Sequence, residues 1–582
     1  MQRLLADRQA AFLPLKNMEK YIWIYVLVGA ALIGVLIYTV VTSKKRRKAK
    51  ILARVRARYG VLPQREYTEE EMHRIRTYFD MVHDEDDYFV DDITWNDLDL
   101  DLVFMAMNHT FSSVGEETLY DMLREPVFDE AELRERARLI DFFSENSRVR
   151  EELEMAYAAV GRTKKYALVE YLRDFRTMEL EPGWKPVIHM LLWLIPIGVF
   201  FYSPAIGIVA LLTVLIVNIY TYYKEKGKVE PYYVSLSAMA YLVNASEAIS
   251  GVNAPELKAY MDMLKEETAP VRNLRKNLKW LGSGKVLNSG MDFAQILIDY
   301  LRMMTHADFL VFNRMVNIVR NHEENILHIM QILGYLEALI AVSSYRQTIP
   351  FYCTGTFSSE KNRGMTVKNA YHPLIKEPVA NSIDEEKSVL ITGSNASGKS
   401  TFLRTTALAA LMAESVATVH AMDYEAPFYR IFSSMALRDD IQSSESYYIV
   451  EIKSLKRIMD RMQGEVPVLC FVDEVLRGTN TVERISASSQ ILKNMSEDGA
   501  FVFAATHDIE LTHLLENFYA NYHFEEEVED KEIRFNYLLK KGRATTRNAI
   551  RLLGIMGYDG EVIEKAEETA KRFTEEGVWE LL

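Results

Sequence analysis

The chain has 582 residues, enough for three to five structural units at roughly 150 residues each. Hydrophobic residues make up 49% of it, with only 26 Gly and 15 Pro, which excludes a wholly disordered or collagen-like chain. Acids outnumber bases by 82 to 68, a net charge of −14, so any contact with nucleic acid must come from a local basic patch. Cys353 and Cys470 are the two cysteines; a disulfide scaffold and a cysteine-based zinc site are excluded, and a reducing compartment is expected.

Residues 1–20 form a short tail. Residues 21–42 carry no charged side chain and, at about 1.5 Å rise per residue, are long enough for a hydrocarbon core of about 30 Å. Nine bases and no acid follow between Lys44 and Arg58, against four bases and two acids in the twenty residues before the span. This bias predicts a multi-pass protein of the cell membrane with its N-terminus outside and its bulk in the cytoplasm. The basic stretch itself suits contact with anionic membrane lipid.

Residues 43–100 read as a linker, first basic and then acidic. Its run Asp84-Glu85-Asp86-Asp87 lacks the glycine and terminal glutamate of a calcium loop and reads as solvated. Residues 101–350 carry leucine, methionine and alanine at helical spacing with few Gly or Pro, an all-α domain. A second apolar stretch, 187–223, interrupts it, with His189 and Asn218 as its main polar residues and Pro196, Gly198, Ser203 and Pro204 near its middle. It predicts a hairpin of two spans, 187–202 and 204–223, giving three transmembrane helices in all. A single kinked span or a re-entrant pair is the alternative. Two crossings return the chain to the cytoplasm, where nucleotide is available. From 387 onward short β-rich runs alternate with helices, the pattern of an α/β domain with a largely parallel sheet.

Ser388-Val389-Leu390-Ile391-Thr392 is an apolar strand, followed by Gly393-Ser394-Asn395-Ala396-Ser397-Gly398-Lys399-Ser400 and then Thr401-Phe402-Leu403, which open an apolar helix. This is G-x-x-x-x-G-K-[ST] in the strand-loop-helix setting that folds backbone N–H groups around phosphates at a helix N-terminus. Lys399 is placed for the β- and γ-phosphates and Ser400 for Mg²⁺. Val468-Leu469-Cys470-Phe471-Val472 is a second strand and ends in Asp473-Glu474: Asp473 for the metal, Glu474 to polarise an attacking water. A third strand, 500–505, ends in Thr506-His507, where His507 is placed to sense the γ-phosphate. The three strand ends converge on the edge where α/β sheets bind ligands. Catalysis is expected from Glu474, His507 and Lys399, and ATP and Mg²⁺ are the expected substrate and cofactor.

Residues 350–570 resemble the ATPase domain of the MutS mismatch-recognition family, within the ABC-type ATPases. The resemblance rests on Ile391 to Thr401, Arg430-Ile431-Phe432, the stretch Asp439 to Glu451, Asp473-Glu474-Val475-Leu476-Arg477-Gly478-Thr479-Asn480-Thr481, and Ala505-Thr506-His507-Asp508. Tyr371-His372-Pro373-Leu374 resembles the family's His-Pro motif beside the adenine pocket, and Gly542-Arg543-Ala544-Thr545 onward its C-terminal dimerising helices. Asn108-His109-Thr110 and Gly115-Glu116-Glu117-Thr118 are similar to the start of the family's helical lever domain. Within the family the chain looks most like its membrane-anchored bacterial members. The resemblance implies an α/β P-loop domain at 351–582 after an all-α lever domain, and a homodimer in which Ser446 reaches the γ-phosphate held by Gly393 to Thr401 of the partner. Where the family has Gly and Arg before that serine, this chain has Ser444 and Glu445; Leu476 stands where a Gly is usual. Nothing before residue 100 resembles the family's mismatch-reading domain.

Two functions follow. One is a MutS-type ATPase at the cytoplasmic membrane face that binds DNA, mismatched or otherwise unusual in structure. The other is a membrane-tethered mechanochemical ATPase acting on a protein or membrane partner without DNA.

Overall fold

The computed structural model describes residues 45–582 except 84–87, 164–166, 278–299, 359–363, 395–396, 436–446, 478, 530–531, 545–549, 551–552, 554–556, 578, 580 and 582, together with Leu27, Tyr38, Thr42 and Ser43. The first expected span, 21–42, therefore lies almost wholly outside the described residues, as does the acidic run 84–87. The chain divides into two compact units, Met1–Tyr59 and Gly60–Leu582. In the first, residues 45–58 are helical and mostly exposed, as a run rich in Lys and Arg requires.

The second unit begins with helices and ends with sheets. Its central helix, Glu323–Arg346, is apolar around most of its circumference and buried, the mark of a core helix. Gly334 lets the Ser113–Arg124 helix approach closely: a Cβ there would sit 2.8 Å from the Val114 carbonyl. Glu337 reaches across the same contact and accepts hydrogen bonds from the Phe111 and Ser112 backbone N–H groups and the Ser112 hydroxyl. A second buried carboxylate, Glu116, gathers Arg65 at 2.7 Å, Arg162 at 2.8 Å and Arg74. A buried charge persists only when paired in this way.

The expected linker differs from its reading. From Gly60 onward it is part of the body: Glu69–Val82 is a helix with a Thr68/Glu71 capping box, and Val90, Trp95 and Leu98 are fully buried. The acidic residues are spent on distant partners. Asp91 pairs with Arg457 at 2.6 Å, Asp99 with Arg404 at 2.7 Å, and Asp92 with Arg124 at 2.6 Å.

The apolar stretch forms a hairpin of helices, Trp184–Leu191 and Leu194–Tyr202 on one arm and Pro204–Ile249 on the other. The first arm breaks at Leu192-Trp193 because Pro196 has no N–H to give the Leu192 carbonyl. The hairpin turns at Ser203, which is extended, and Pro204 occupies the first helical turn. The returning helix runs 46 residues without interruption, about 70 Å at 1.5 Å per residue. Its first half is exposed and apolar, as at Ile208, Val209, Leu212 and Ile216; its second half is core, as at Leu236, Met239, Leu242 and Ile249. His189 and Asn218 bond to each other across the arms at 2.8 Å.

The C-terminal part is α/β. Strands β1 (Thr356–Phe357), β2 (Met365–Ala370), β3 (Asn381–Glu385) and β5 (Asp423–Ala426) form a four-stranded sheet in the order β1-β5-β2-β3. Strands β4 (Ser388–Thr392), β6 (Arg430–Ser434), β7 (Val468–Asp473), β8 (Phe501–Thr506), β9 (Tyr519–Glu529) and β10 (Glu532–Lys541) form a six-stranded sheet in the order β10-β9-β4-β8-β7-β6. All its pairings are parallel except β10 with β9. The fully buried runs of β4, β7 and β8 are what a sheet covered on both faces demands. Its β6 edge is closed by side chains of the helical part. The Tyr88 hydroxyl accepts from Ile431 N–H at 2.6 Å and lies 2.9 Å from its carbonyl; Thr94 accepts from Ser433 N–H at 3.1 Å; Asp97 accepts from Met435 N–H at 2.9 Å.

Candidate nucleotide site

β4, β8 and β7 are neighbours in that order, and their C-terminal ends carry the expected residues. After Thr392 the chain turns through Gly393 (φ 150°) and Gly398 (φ 109°) into the Lys399–Val416 helix. Both angles favour glycine. A Cβ on Gly393 would also lie 2.9 Å from the Phe524 carbonyl and from the Ser397 hydroxyl. Asn395 and Ala396, at the middle of the loop, lie outside the described residues.

Lys399 is buried, and its ammonium is held by the Gly393 and Ser394 carbonyls, each at 2.9 Å. Burial lowers its pKa, partly offset by Asp473 and Glu474. The Ser400 hydroxyl, in the first turn of the same helix, donates to Asp473 at the end of β7. Thr401, next along, is exposed. Glu474 follows Asp473, and its carboxylate meets His507 Nε2 at 2.7 Å and the Arg477 guanidinium. Burial alone would raise the Glu474 pKa, but the hydrogen bond from His507 and the charges of Arg477 and Lys399 outweigh it and hold the carboxyl below its usual range. His507 Nε2 also lies 3.5 Å from Lys399 Nζ. Five side chains from two strand ends and one helix start thus form a single cluster beside the end of β4.

The cluster suits a phosphate and a hard cation. The Ser397 hydroxyl is buried with no partner among the described residues, in a loop whose glycine cradle a Cβ would fill. Ser400 and Asp473 offer adjoining oxygens, the ligand type Mg²⁺ takes.

His372 sits apart, past the end of β2. It is buried, accepts from Leu374 N–H at 3.3 Å, and is pushed down to about 4 by burial and the nearby Arg404 guanidinium, so the ring is a neutral acceptor at pH 7. Ser446 lies outside the described residues, and the Tyr447–Asp460 helix begins immediately after it. Sequence reasoning overlooked Glu526, whose carboxylate accepts from the Ser394 hydroxyl at 2.8 Å, and placed Arg477 and Glu451 within matched stretches without giving them a role at Glu474. Their only sequence signal was nearness to recognised motifs.

The loop, the metal-type pair and the acid-histidine pair, in this strand order, invite comparison with known families. Residues 389–574 match the family model for MutS domain V. The chain is 31% identical over 272 residues to the DNA mismatch repair protein MutS of Thermotoga maritima, covering 45% of this chain and 34% of that protein. It is 34% identical over 216 residues to MutS of Thermotoga neapolitana (36% and 26%) and 29% identical over 290 residues to MutS of Lactobacillus delbrueckii subsp. bulgaricus (48% and 33%). The chain spans about a third of the length of these MutS relatives. The MutS-like region contains every cluster residue, from Gly393 to His507.

Proposed function

We infer that the protein is a Mg²⁺-dependent ATPase of MutS type, held in a membrane and working as a dimer that nucleotide closes. The observation that carries this reading is the convergence of Lys399, Ser400, Asp473, Glu474 and His507 on one sheet edge, inside a MutS domain V match. The 393–398 backbone amides and Lys399 bind phosphate, Lys399 exchanging its two loop carbonyls for phosphate oxygens. Ser400 and Asp473 would hold the metal, which when bound neutralises charge on the phosphates. Glu474, kept ionised by His507 and Arg477, accepts a hydrogen bond from the attacking water and takes its proton. The His372 ring lies where the resemblance puts the base pocket, and Ser446 acts across the dimer.

The membrane is supported by the exposed apolar hairpin. Trp184–Tyr202 and Pro204–Glu230 are each long and apolar enough to cross, with 11% and 22% of their apolar windows buried. The ligand that drives the cycle is DNA in the first reading, as in the named function of the relatives. A second reading, a protein or membrane partner without DNA, is favoured by the continuous Pro204–Ile249 helix, which joins the hairpin to the helical body.

The test is ATP turnover by detergent-solubilised protein, with and without duplex, mismatched and branched DNA across a salt series. Lys399→Ala should lose nucleotide affinity. Glu474→Gln should bind ATP and lose roughly 100-fold or more in turnover. Normal affinity in the first variant or normal turnover in the second rejects the site. Stimulation by DNA that fades with salt selects the first reading, and indifference to every DNA selects the second.

A further inference from the structure

Glu451 lies in the second turn of the Tyr447–Asp460 helix and is 3% exposed. Its carboxylate faces the loop after β7. One oxygen accepts from Leu476 N–H and the other from Arg477 N–H at 3.1 Å. That loop carries Glu474, and its backbone is strained: Glu474 and Leu476 both have φ of 62°, the left-handed region, without being glycine. Such a conformation persists only when its surroundings over-determine it. Here the Glu474 N–H bonds to the Ala505 carbonyl at 2.9 Å, Ser488 donates to the Val475 carbonyl at 3.2 Å, and the Val475 and Leu476 side chains are buried. Glu451 supplies two more, to the Leu476 and Arg477 amides. Arg477, whose N–H it holds, turns its guanidinium back onto Glu474.

The geometry points to Glu451 as a positioning residue for hydrolysis, one that holds the left-handed 474–477 loop in place so that the Glu474 carboxylate faces the phosphate cluster. It touches neither ATP nor metal. Its helix starts directly after Ser446, so the same carboxylate links the segment assigned to the partner's nucleotide with the water-activating residue of its own subunit. This inference rests on the ATPase reading above. Removing the carboxylate leaves two amides in a buried loop without acceptors and lets Leu476 relax to negative φ, swinging Glu474 away. Phosphate binding, which Lys399 and the 393–398 amides perform, is untouched.

Full-length protein in detergent gives the test, with equilibrium binding of a fluorescent ATP analogue, turnover and thermal unfolding measured together. Glu451→Ala should lower kcat roughly 10- to 100-fold, as displacement of a catalytic group does, with nucleotide affinity kept within about twofold. Glu451→Gln, which keeps the shape and one acceptor oxygen, should fall between it and wild type, and stands in if the alanine variant fails to fold. Adding Leu476→Gly to Glu451→Ala should restore part of kcat, because glycine holds φ of 62° without strain. An unchanged kcat in both single variants overturns the assignment. So does a loss of kcat matched by an equal loss of affinity and of unfolding temperature, or one that Leu476→Gly leaves unmoved. A wild-type protein with no ATP turnover removes the ATPase reading and this one with it; turnover in wild type with no change in the variants removes this one alone.

Discussion

Two regions of this molecule are equally apolar and have opposite surroundings. The hairpin helices and Glu323–Arg346 are all long and apolar enough to cross a membrane, yet 72% of the apolar window of Glu323–Arg346 is buried, against 11% and 22% in the hairpin. The polar residues tell them apart. Glu323–Arg346 carries Glu337, Ser344 and Arg346, each with a partner on another element: the Ser112 amide, His109 at 3.0 Å and Asp141 at 2.7 Å. In the hairpin His189 and Asn218 bond to each other near its base, Trp193 Nε1 donates to the Met304 carbonyl, and the exposed side chains beyond them are mostly apolar, as at Leu194, Ile195, Ile206 and Val209. A helix that must meet distant polar partners is built for a protein interior. One that leaves Ile, Leu and Val outward has the surface that the proposed membrane setting requires.

Three substitutions test this contrast. The largest effect is expected from Leu336→Ala in the core helix, which should cost about 2–5 kcal/mol of unfolding free energy, read as a lower midpoint in denaturant. The matching change in the hairpin, Ile208→Ala, should stay within about 0.5 kcal/mol. If the two cost the same, the regions are not different in kind. Next comes Ile208→Arg, which should oppose insertion by about 2.5–3.5 kcal/mol. In reconstituted membranes a Leu194→Cys probe on the neighbouring arm should then become open to a water-soluble maleimide, while the same probe without Ile208→Arg stays protected. Labelling of the probe with and without Ile208→Arg would detach the hairpin from the lipid.

The smallest effect concerns Glu337. Burial lifts its carboxyl to about 7, above the unfolded value, so between those pH values the native protein holds a proton that the unfolded chain releases. The stability from this group is full at acid pH and is lost as pH rises through about 7, at no more than about 1.4 kcal/mol per pH unit. Glu337→Gln cannot titrate, so its unfolding temperature should fall less between pH 5 and 7 than that of wild type. A slope equal to wild type would mean that Glu337 keeps its charge in the core.

The residues that bind chemistry locally were legible in the sequence. Gly393, Gly398 and Lys399 sit in a contiguous loop motif whose residue types alone point to phosphate, and β4, β7 and β8 are continuous apolar runs that only a covered sheet accommodates. The sheet order that brings Ser400 to Asp473 and Glu474 to His507 was an inference from motif order. Regions whose partners are hundreds of residues away were misread. Asp91, Asp97 and Asp99 look like a solvated charge run until Arg457, Ser433 and Arg404 are seen opposite them. Glu451 closes a stretch matched by resemblance, yet the sequence alone gives it no task, because its partners are the Leu476 and Arg477 amides of a loop 25 residues on. The hairpin was legible in position, but not the extension of its second arm to Ile249, because the charged run 224–230 with Gly227 and Pro231 reads as a helix end, whereas the helix continues through it from its exposed half into its buried half.

The covering of β6 by Tyr88, Thr94 and Asp97 bears on where the C-terminal domain begins. By sequence it starts near residue 351, but a fragment cut there would present the Ile431, Ser433 and Met435 amides bare along a parallel sheet edge, a template for sheet-to-sheet aggregation. The 88–97 segment, more than 250 positions upstream, serves as the sheet's seventh member in all but backbone. The domain is therefore discontinuous, and a soluble ATPase module has to carry its own edge guard with it.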